Sequence, residues 1–277
     1  MALMDHLVRA WQWVPFSWRK GFVDSPVASL ARGLVNRAYG HEPRVFELAP
    51  PLEGCRMRLH WQRHKAFVFG THEPEVVRAI RDAVSPGSIA LDIGSHLGYY
   101  TLLLAKLVGP QGKVISFEPA PEIFAVLREN MEINACANVV LENCAVANST
   151  GRLLLRRNDD DPLSCTFSLE HGRPVREIEA IRLDDYLEQH PNKISFVKMD
   201  VEGAEADTLE GMAGCLRKDR PILLVELHGF DGSGERHPAL LKLRELDYQV
   251  RYLEPPGVQV HVLASVPPEN RSRAREL

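Results

Sequence analysis

The sequence predicts an α/β fold: a mostly parallel, seven-stranded sheet of Rossmann-like type that ends in an antiparallel C-terminal hairpin and follows an N-terminal extension. Three observations lead there. From residue 88 onward, short β-branched apolar runs alternate with amphipathic stretches of helical period, the pattern of β-α units feeding a parallel sheet. A turn containing Gly94 and Gly98 joins the first such run to the first such stretch. The last two apolar runs are separated only by Glu254-Pro255-Pro256-Gly257, and so short a connection joins antiparallel neighbours.

Taken in order, residues 1–70 lack the β-α rhythm and are expected to form a helical and strand-like extension. Trp11, Trp13, Trp18, Phe16 and Phe22 lie there among Arg9, Arg19 and Lys20, a composition that suits an interfacial anchor. The simpler expectation is a cap on a substrate pocket or a contact with a second copy, giving a homodimer. Strands are expected over 88–93, 113–118, 139–146, 194–200, 221–227, 248–253 and 258–264, and helices over 99–108, 121–134, 204–217 and 237–246. Residues 151–182 break the alternation with Asp159-Asp160-Asp161-Pro162 and polar, strand-like pieces at 165–169 and 175–181, and are expected to form an insertion over the sheet. The catalytic domain then occupies 71–277.

Composition narrows the function. With 277 residues, 45% hydrophobic and 25% charged, the chain buries one generous core or a core with an appendage. A formal net charge of -4 offers no footprint for a phosphate backbone, so a small molecule is the expected partner and nucleic acid is not. Cys55, Cys136, Cys144, Cys165 and Cys215 are scattered, without metal-ligand spacing, and read as reduced thiols of a cytoplasmic protein. No apolar run is long enough to cross a bilayer, and no export signal is expected.

The segment Ala90 to Thr101 runs from strand to helix, which turns the backbone amides of Gly94, Ser95, His96, Gly98, Tyr99 and Thr101 toward a ligand above the strand's carboxyl end. A dinucleotide fingerprint needs G-x-G-x-x-G; here Asp92 replaces the first glycine, and its carboxylate would repel a pyrophosphate. It suits the ammonium and sulfonium of S-adenosylmethionine. Glu118 ends the next strand, beside Pro119, where two carboxylate oxygens meet ribose hydroxyls. Asn143, Cys144 and Ala145 end the third, where an adenine edge would lie. Each feature alone has a plainer explanation in tight packing or a solvated loop, and only their order at three successive strand ends carries the reading.

The fourth strand delivers Asp200-Val201-Glu202-Gly203-Ala204-Glu205, and the fifth ends at His228. Methyl transfer is an in-line displacement that requires alignment and a base for a hydroxyl nucleophile. Asp200 and Glu202 are the first candidates, as hydrogen-bond acceptors for cofactor or substrate, or as Mg²⁺ ligands; the metal-free role is favoured. His228 is the candidate general base, although a hydrogen-bonded loop histidine explains it nearly as well. Lys198 shares a face with Asp200 and is expected to pair with it. Glu73 is a minor cofactor candidate that could equally be starting a helix at Pro74. The loop 229–235, with three glycines, is a candidate substrate lid.

These segments resemble the FkbM family of methyltransferases: the turn Asp92 to Thr101, the strand end Phe117-Glu118-Pro119 and the segment Lys198 to Glu205, within a stretch from about Gly70 to Gly229. The resemblance implies a class I, S-adenosylmethionine-dependent methyltransferase acting on a hydroxyl of a small natural product or sugar, in secondary metabolism or glycan modification. One departure is His96, where the family more often carries Asn. Methylation of nitrogen, carbon or RNA, a nucleotide-sugar or NAD-dependent oxidoreductase and a non-catalytic cofactor-binding module are the alternatives; the oxidoreductase lacks its third glycine.

Overall fold

The computed structural model describes residues 33, 35–37, 39, 40, 42–158, 161–166, 175–229, 236–255 and 259–267. The chain divides into two compact units, Met1–His72 and Glu73–Leu277. In the first, β1 (Arg44–Glu47) pairs antiparallel with β2 (Arg56–Leu59), and α1 (Trp61–Val68) follows. The rings of Tyr39, Phe46 and Trp61 pack together, and the Trp61 indole donates to Asn36 Oδ1 at 2.9 Å. The Trp-rich segment read as an anchor or cap lies outside the described residues.

The second unit opens with α2 (Pro74–Ala83), β3 (Ile89–Ile93), α3 (Tyr99–Val108), β4 (Lys113–Phe117), α4 (Pro121–Ile133) and β5 (Val139–Glu142). It continues with β6 (Ala145–Val146), β7 (Gly151–Asn158), β8 (Asp161–Thr166), β9 (Val175–Ile181) and α5 (Leu183–Gln189). Then come β10 (Phe196–Met199), α6 (Glu205–Gly211), α7 (Ala213–Asp219), β11 (Ile222–His228), α8 (Pro238–Glu245), β12 (Gln249–Tyr252) and β13 (Gln259–Ser265). The seven-stranded sheet has the order β12-β13-β11-β10-β3-β4-β5, parallel except for β13, which runs antiparallel to both neighbours. The expected α/β fold with its antiparallel C-terminal hairpin is therefore present, in the class I methyltransferase order. The chain reverses its direction of growth between β3 and β10, and ligands of open α/β sheets lie at such a switch point.

The central strands are buried on both faces and so read as nearly continuous apolar runs. Leu91, Ile93, Ile115, Phe117, Val197, Met199, Leu223, Val225, Val260 and Val262 form the core between sheet and helices. Among the exceptions in those runs, Asp92 and Lys198 are themselves buried and stand at partnered positions of β3 and β10.

Three expectations change. The strand read over 139–146 is two: β5 stays in the main sheet, while β6 leaves it to pair with β9 in a second, four-stranded sheet of order β6-β9-β7-β8. The helix read over 204–217 breaks at Met212, beside Gly211, whose added Cβ would lie 1.8 Å from the Ala147 carbonyl oxygen; periodicity does not report such a contact. The 151–182 segment begins with a full strand, β7, whose Leu153-Leu154-Leu155 run hides the period of two although Leu155 is buried and Leu154 exposed. Residues 167–174 and 230–235, the latter most of the proposed lid, are outside the described residues. Among the described residues no helix is long and apolar enough to cross a membrane.

Gly94 ties β3 to β10. Its φ is +80°, and a Cβ there would sit 1.7 Å from the Asp200 carbonyl oxygen, whereas Gly87, at φ +75°, has open space around it. Both substitutions to Ala incur the left-handed backbone cost, about 1 kcal/mol, and only Gly94→Ala adds a backbone clash. Denaturant unfolding should therefore show a loss of about 1 kcal/mol for Gly87→Ala and about 3 kcal/mol or more for Gly94→Ala.

Candidate active site

The turn after β3 is tied down by its own amides. Gly94 and Ser95 both donate to the Phe117 carbonyl at 3.0 Å, and Gly98 donates to Ser95 O at 2.9 Å. His96, at φ 50°, turns its N–H onto Glu118 Oε2 at 2.9 Å. The expectation that these amides face a ligand is corrected for four of them: those of Gly94, Ser95, His96 and Gly98 are spent inside the protein. A pyrophosphate would find none of these four donors, which strengthens the case against a dinucleotide. The left-handed backbone at His96 also accounts for its identity, since Asn and His both enter that region more readily than most residues. Gly98, at φ 91°, leaves room for α4, where a Cβ would meet Leu127 Cδ1 at 2.6 Å.

Beneath the turn lies a buried hydroxyl network. Thr101 Oγ1 donates to Asp92 Oδ2 at 2.5 Å, Ser95 Oγ to the Asp92 carbonyl at 2.8 Å, and Ser116 Oγ to Ser95 Oγ at 2.6 Å. Ser95 and Thr101 thus hold the turn from inside. Asp92 Oδ1 is buried without a hydrogen bond, and burial raises this carboxyl's pKa against the opposing pull of Lys198 and Thr101. A buried acceptor with nothing to accept fits a nearby cation. Tyr99 is buried on α3, its hydroxyl pushed up to about 12 by burial and by Glu73.

Glu118 is 6% exposed and gripped at both oxygens, by His96 N–H and by Ala120 N–H at 2.9 Å each. Burial carries its pKa up to about 7 despite those two bonds. Each oxygen keeps a second lone pair, so the carboxylate is pre-aimed for a pair of vicinal hydroxyls. Asn143 spends its amide on the carbonyls of Glu118 and Pro119, at 2.8 and 3.3 Å, clamping the tip of β4 to the chain leaving β5. Cys144 and Ala145 follow, buried, with the thiol pushed up to about 12 by burial.

The tips of β10, β11 and β13 carry a row of charges on one face. Lys198 Nζ pairs with Asp200 Oδ2 at 3.1 Å, as expected from their spacing, and lies 5.0 Å from the centre of the Tyr100 ring. His228 Nδ1 meets Glu205 at 2.8 Å, while its Nε2 stands 3.4 Å from Glu202, 3.7 Å from Glu226 and 3.9 Å from Asp200. Burial alone would lower the His228 pKa; the bond to Glu205 and the charges of Glu202, Asp200 and Glu226 outweigh it and take it up to about 9. Asp200 is drawn below the usual carboxylate range because Lys198 outweighs its burial, whereas burial raises Glu202. Glu73, at φ 40° ahead of α2, accepts a hydrogen bond from Tyr100. Asp200, Glu202 and His228 thus come together, and Glu73 lies in the same row beyond Glu226 and His261.

Sequence reasoning gave no role to Glu226, His261, Glu205, Glu254 and Tyr100. Glu226 was within reach, because alternation on β11 puts it on the face of His228. His261 was not: it is opposite Glu226 only through the β11–β13 register.

Fold, turn and acidic strand tips define an S-adenosylmethionine-binding methyltransferase domain. The profile of the methyltransferase FkbM domain matches residues 92–250, and the chain belongs to that family. Methyltransferase 1 of Beauveria bassiana is 28% identical over 146 residues, 45% of this chain and 58% of that protein, so the match spans little more than half of that relative's length. The 31-O-demethyl-FK506 methyltransferase FkbM of Streptomyces tacrolimicus is 27% identical over 188 residues, 57% of this chain and 72% of its own. The 2-O-methyltransferase NoeI of Sinorhizobium fredii is 29% identical over 192 residues, 61% of this chain and 77% of its own.

Calorimetry with S-adenosylhomocysteine tests the cofactor assignment. Glu118→Ala removes a buried charged acceptor and should weaken binding about 10–100-fold, and Asp92→Ala should weaken it by a similar factor. Glu118 also leaves a pH signature. Its folded pKa lies above the ordinary 4.5, so its contribution to stability is fully present below about 4.5 and is lost as pH rises through about 7. Glu118→Gln should therefore gain on the wild type by about 2–3 kcal/mol between pH 4.5 and 8 in unfolding titrations, whatever the constant offset between them.

Proposed function

We propose that the chain transfers a methyl group from S-adenosylmethionine to a hydroxyl oxygen of a small natural product or sugar. The observation that supports this most is the trio Asp200, Glu202 and His228, set at the tips of β10 and β11 next to the Gly94 turn. When bound, S-adenosylmethionine supplies a methyl carbon made electrophilic by its sulfonium. Glu118 accepts from the ribose hydroxyls, and Asp92 Oδ1, together with the acidic row beyond it, favours the cationic end.

Within the trio the roles separate by environment. Asp200 is locked on Lys198 and is a weak base, so it orients a ligand hydroxyl or amine. His228 is flanked by four carboxylates and holds its proton near neutrality, which removes it from the general-base role first given to it; it positions Glu202. Glu202, the most exposed of the three, takes the proton as the acceptor's O–H bond breaks and its new O–C bond forms. Among the described residues, the charged groups around this point are acidic apart from Lys198 and two imidazoles, which suits a neutral polyhydroxyl acceptor better than a phosphorylated one. The names of the Streptomyces and Sinorhizobium relatives, which both specify an oxygen position, support oxygen as the nucleophile.

A panel of sugars and macrocyclic alcohols, read by mass spectrometry for methyl ethers, tests the reading. With any accepted substrate, Glu202→Gln should lower kcat about 100-fold and leave the affinity for S-adenosylhomocysteine unchanged. Wild-type rates in that variant would place the base elsewhere.

A further inference from the structure

Beyond the methyl-transfer groups, the far end of the acidic row contains a second constellation. Glu73, Glu226 and His261 each bring one ligand atom to within 4.8 Å of the others. The elements that deliver them are independent: β11 and β13 put Glu226 and His261 opposite each other, and Glu73 immediately precedes α2.

We propose that Glu73, Glu226 and His261 form a site for a single divalent transition cation of the Mn²⁺ or Zn²⁺ class. His261 is 6% exposed, and its Nε2 lies 3.3 Å from Glu226 Oε2 and 3.5 Å from Glu73 Oε2 without forming a hydrogen bond to either. A nitrogen so close to two carboxylates and aligned with neither stands where one cation would meet all three groups. The other ring nitrogen holds the ring in place: Nδ1 contacts Glu254 Oε1 at 2.6 Å, the carboxylate–imidazole arrangement that orients metal-ligating histidines. The Glu254 carboxylate also accepts the His261 backbone N–H at 2.9 Å, so the support is fixed by the same residue it orients. Glu73 has its own outer partner in the Tyr100 hydroxyl. It keeps a left-handed backbone, a conformation that costs a non-glycine residue about 1 kcal/mol or more and tends to persist at ligand sites.

One imidazole nitrogen and two carboxylates favour Mn²⁺, Fe²⁺ or Zn²⁺ over Mg²⁺, which prefers an all-oxygen shell. Three protein ligands leave coordination positions open. The neighbouring triad of Asp200, Glu226 and His228 also falls within 4.8 Å, but there Asp200 is already held by Lys198 and the His228 ring is shared among four carboxylates. Because Glu226 faces both triads, an ion at His261 places its charge one side chain from His228.

The test uses the full chain, stripped with chelator and titrated with Mn²⁺ by electron paramagnetic resonance, with retained Zn²⁺ measured by elemental mass spectrometry. One equivalent is expected. His261→Gln should weaken Mn²⁺ binding at least about tenfold and Glu254→Gln about 10–100-fold, while both keep wild-type affinity for S-adenosylhomocysteine as the check on folding. No retained metal and no Mn²⁺ binding by the wild type overturns the site; so does undiminished binding by His261→Gln, or a loss confined to His228→Gln. No methyl transfer enters these measurements, so the site and the proposed reaction stand or fall separately.

Discussion

The ammonium of Lys198 is buried where three carboxylates converge. It is 2% exposed, pairs with Asp200, faces Asp92 across the β3–β10 ladder, and feels Glu226 on the neighbouring strand. A parallel sheet forces this problem. All its strands end at one edge, so acidic strand ends that would be solvated singly are brought side by side, and a buried charge without a counter-charge is severely unfavourable. One lysine on the middle strand answers several of them at once. Its stem lies in the sheet, its head meets Asp200, and the Tyr100 ring covers the remaining side. The face of Tyr100 therefore serves the lysine while its hydroxyl serves Glu73, which links the central strands to the start of α2.

The same economy governs the turn. A glycine turn opening a helix is usually thought of as an anion cradle, because its amides point outward. Here the amides of Gly94, Ser95 and His96 fold back onto Phe117 O and the Glu118 carboxylate. What the turn presents is the acidic framework those amides secure. The distinction between a pyrophosphate site and a site for a cationic amino-acid tail thus lies in where three N–H groups are spent, as much as in the count of glycines.

Strain marks the same region. Six non-glycine residues among those described have positive φ, and three of them, Glu73, His96 and Glu202, are residues singled out from sequence as site candidates. Each puts a functional group into the row or the turn: a carboxylate beside His261, an amide on Glu118, a carboxylate beside His228. Such conformations survive only where surrounding contacts over-determine them, which the tied amides and ion pairs of this edge provide.

By itself the sequence determined the layered α/β order, the strand that precedes each site residue and the pairing of Lys198 with Asp200, because these depend on local period and on neighbours two residues apart. It marked Asp92, Glu118, Asp200, Glu202 and His228, since each falls at the end of a legible strand. Only the tertiary structure decided that β6 leaves the main sheet, that the amides of Gly94, Ser95 and His96 point inward, that His228 is held by Glu205, and that His261 stands beside Glu226. Those outcomes rest on register between strands distant in sequence and on close contacts such as Gly211 against Ala147. Period-2 and period-3.6 patterns report which face a residue occupies, and carry no information about what lies across from it.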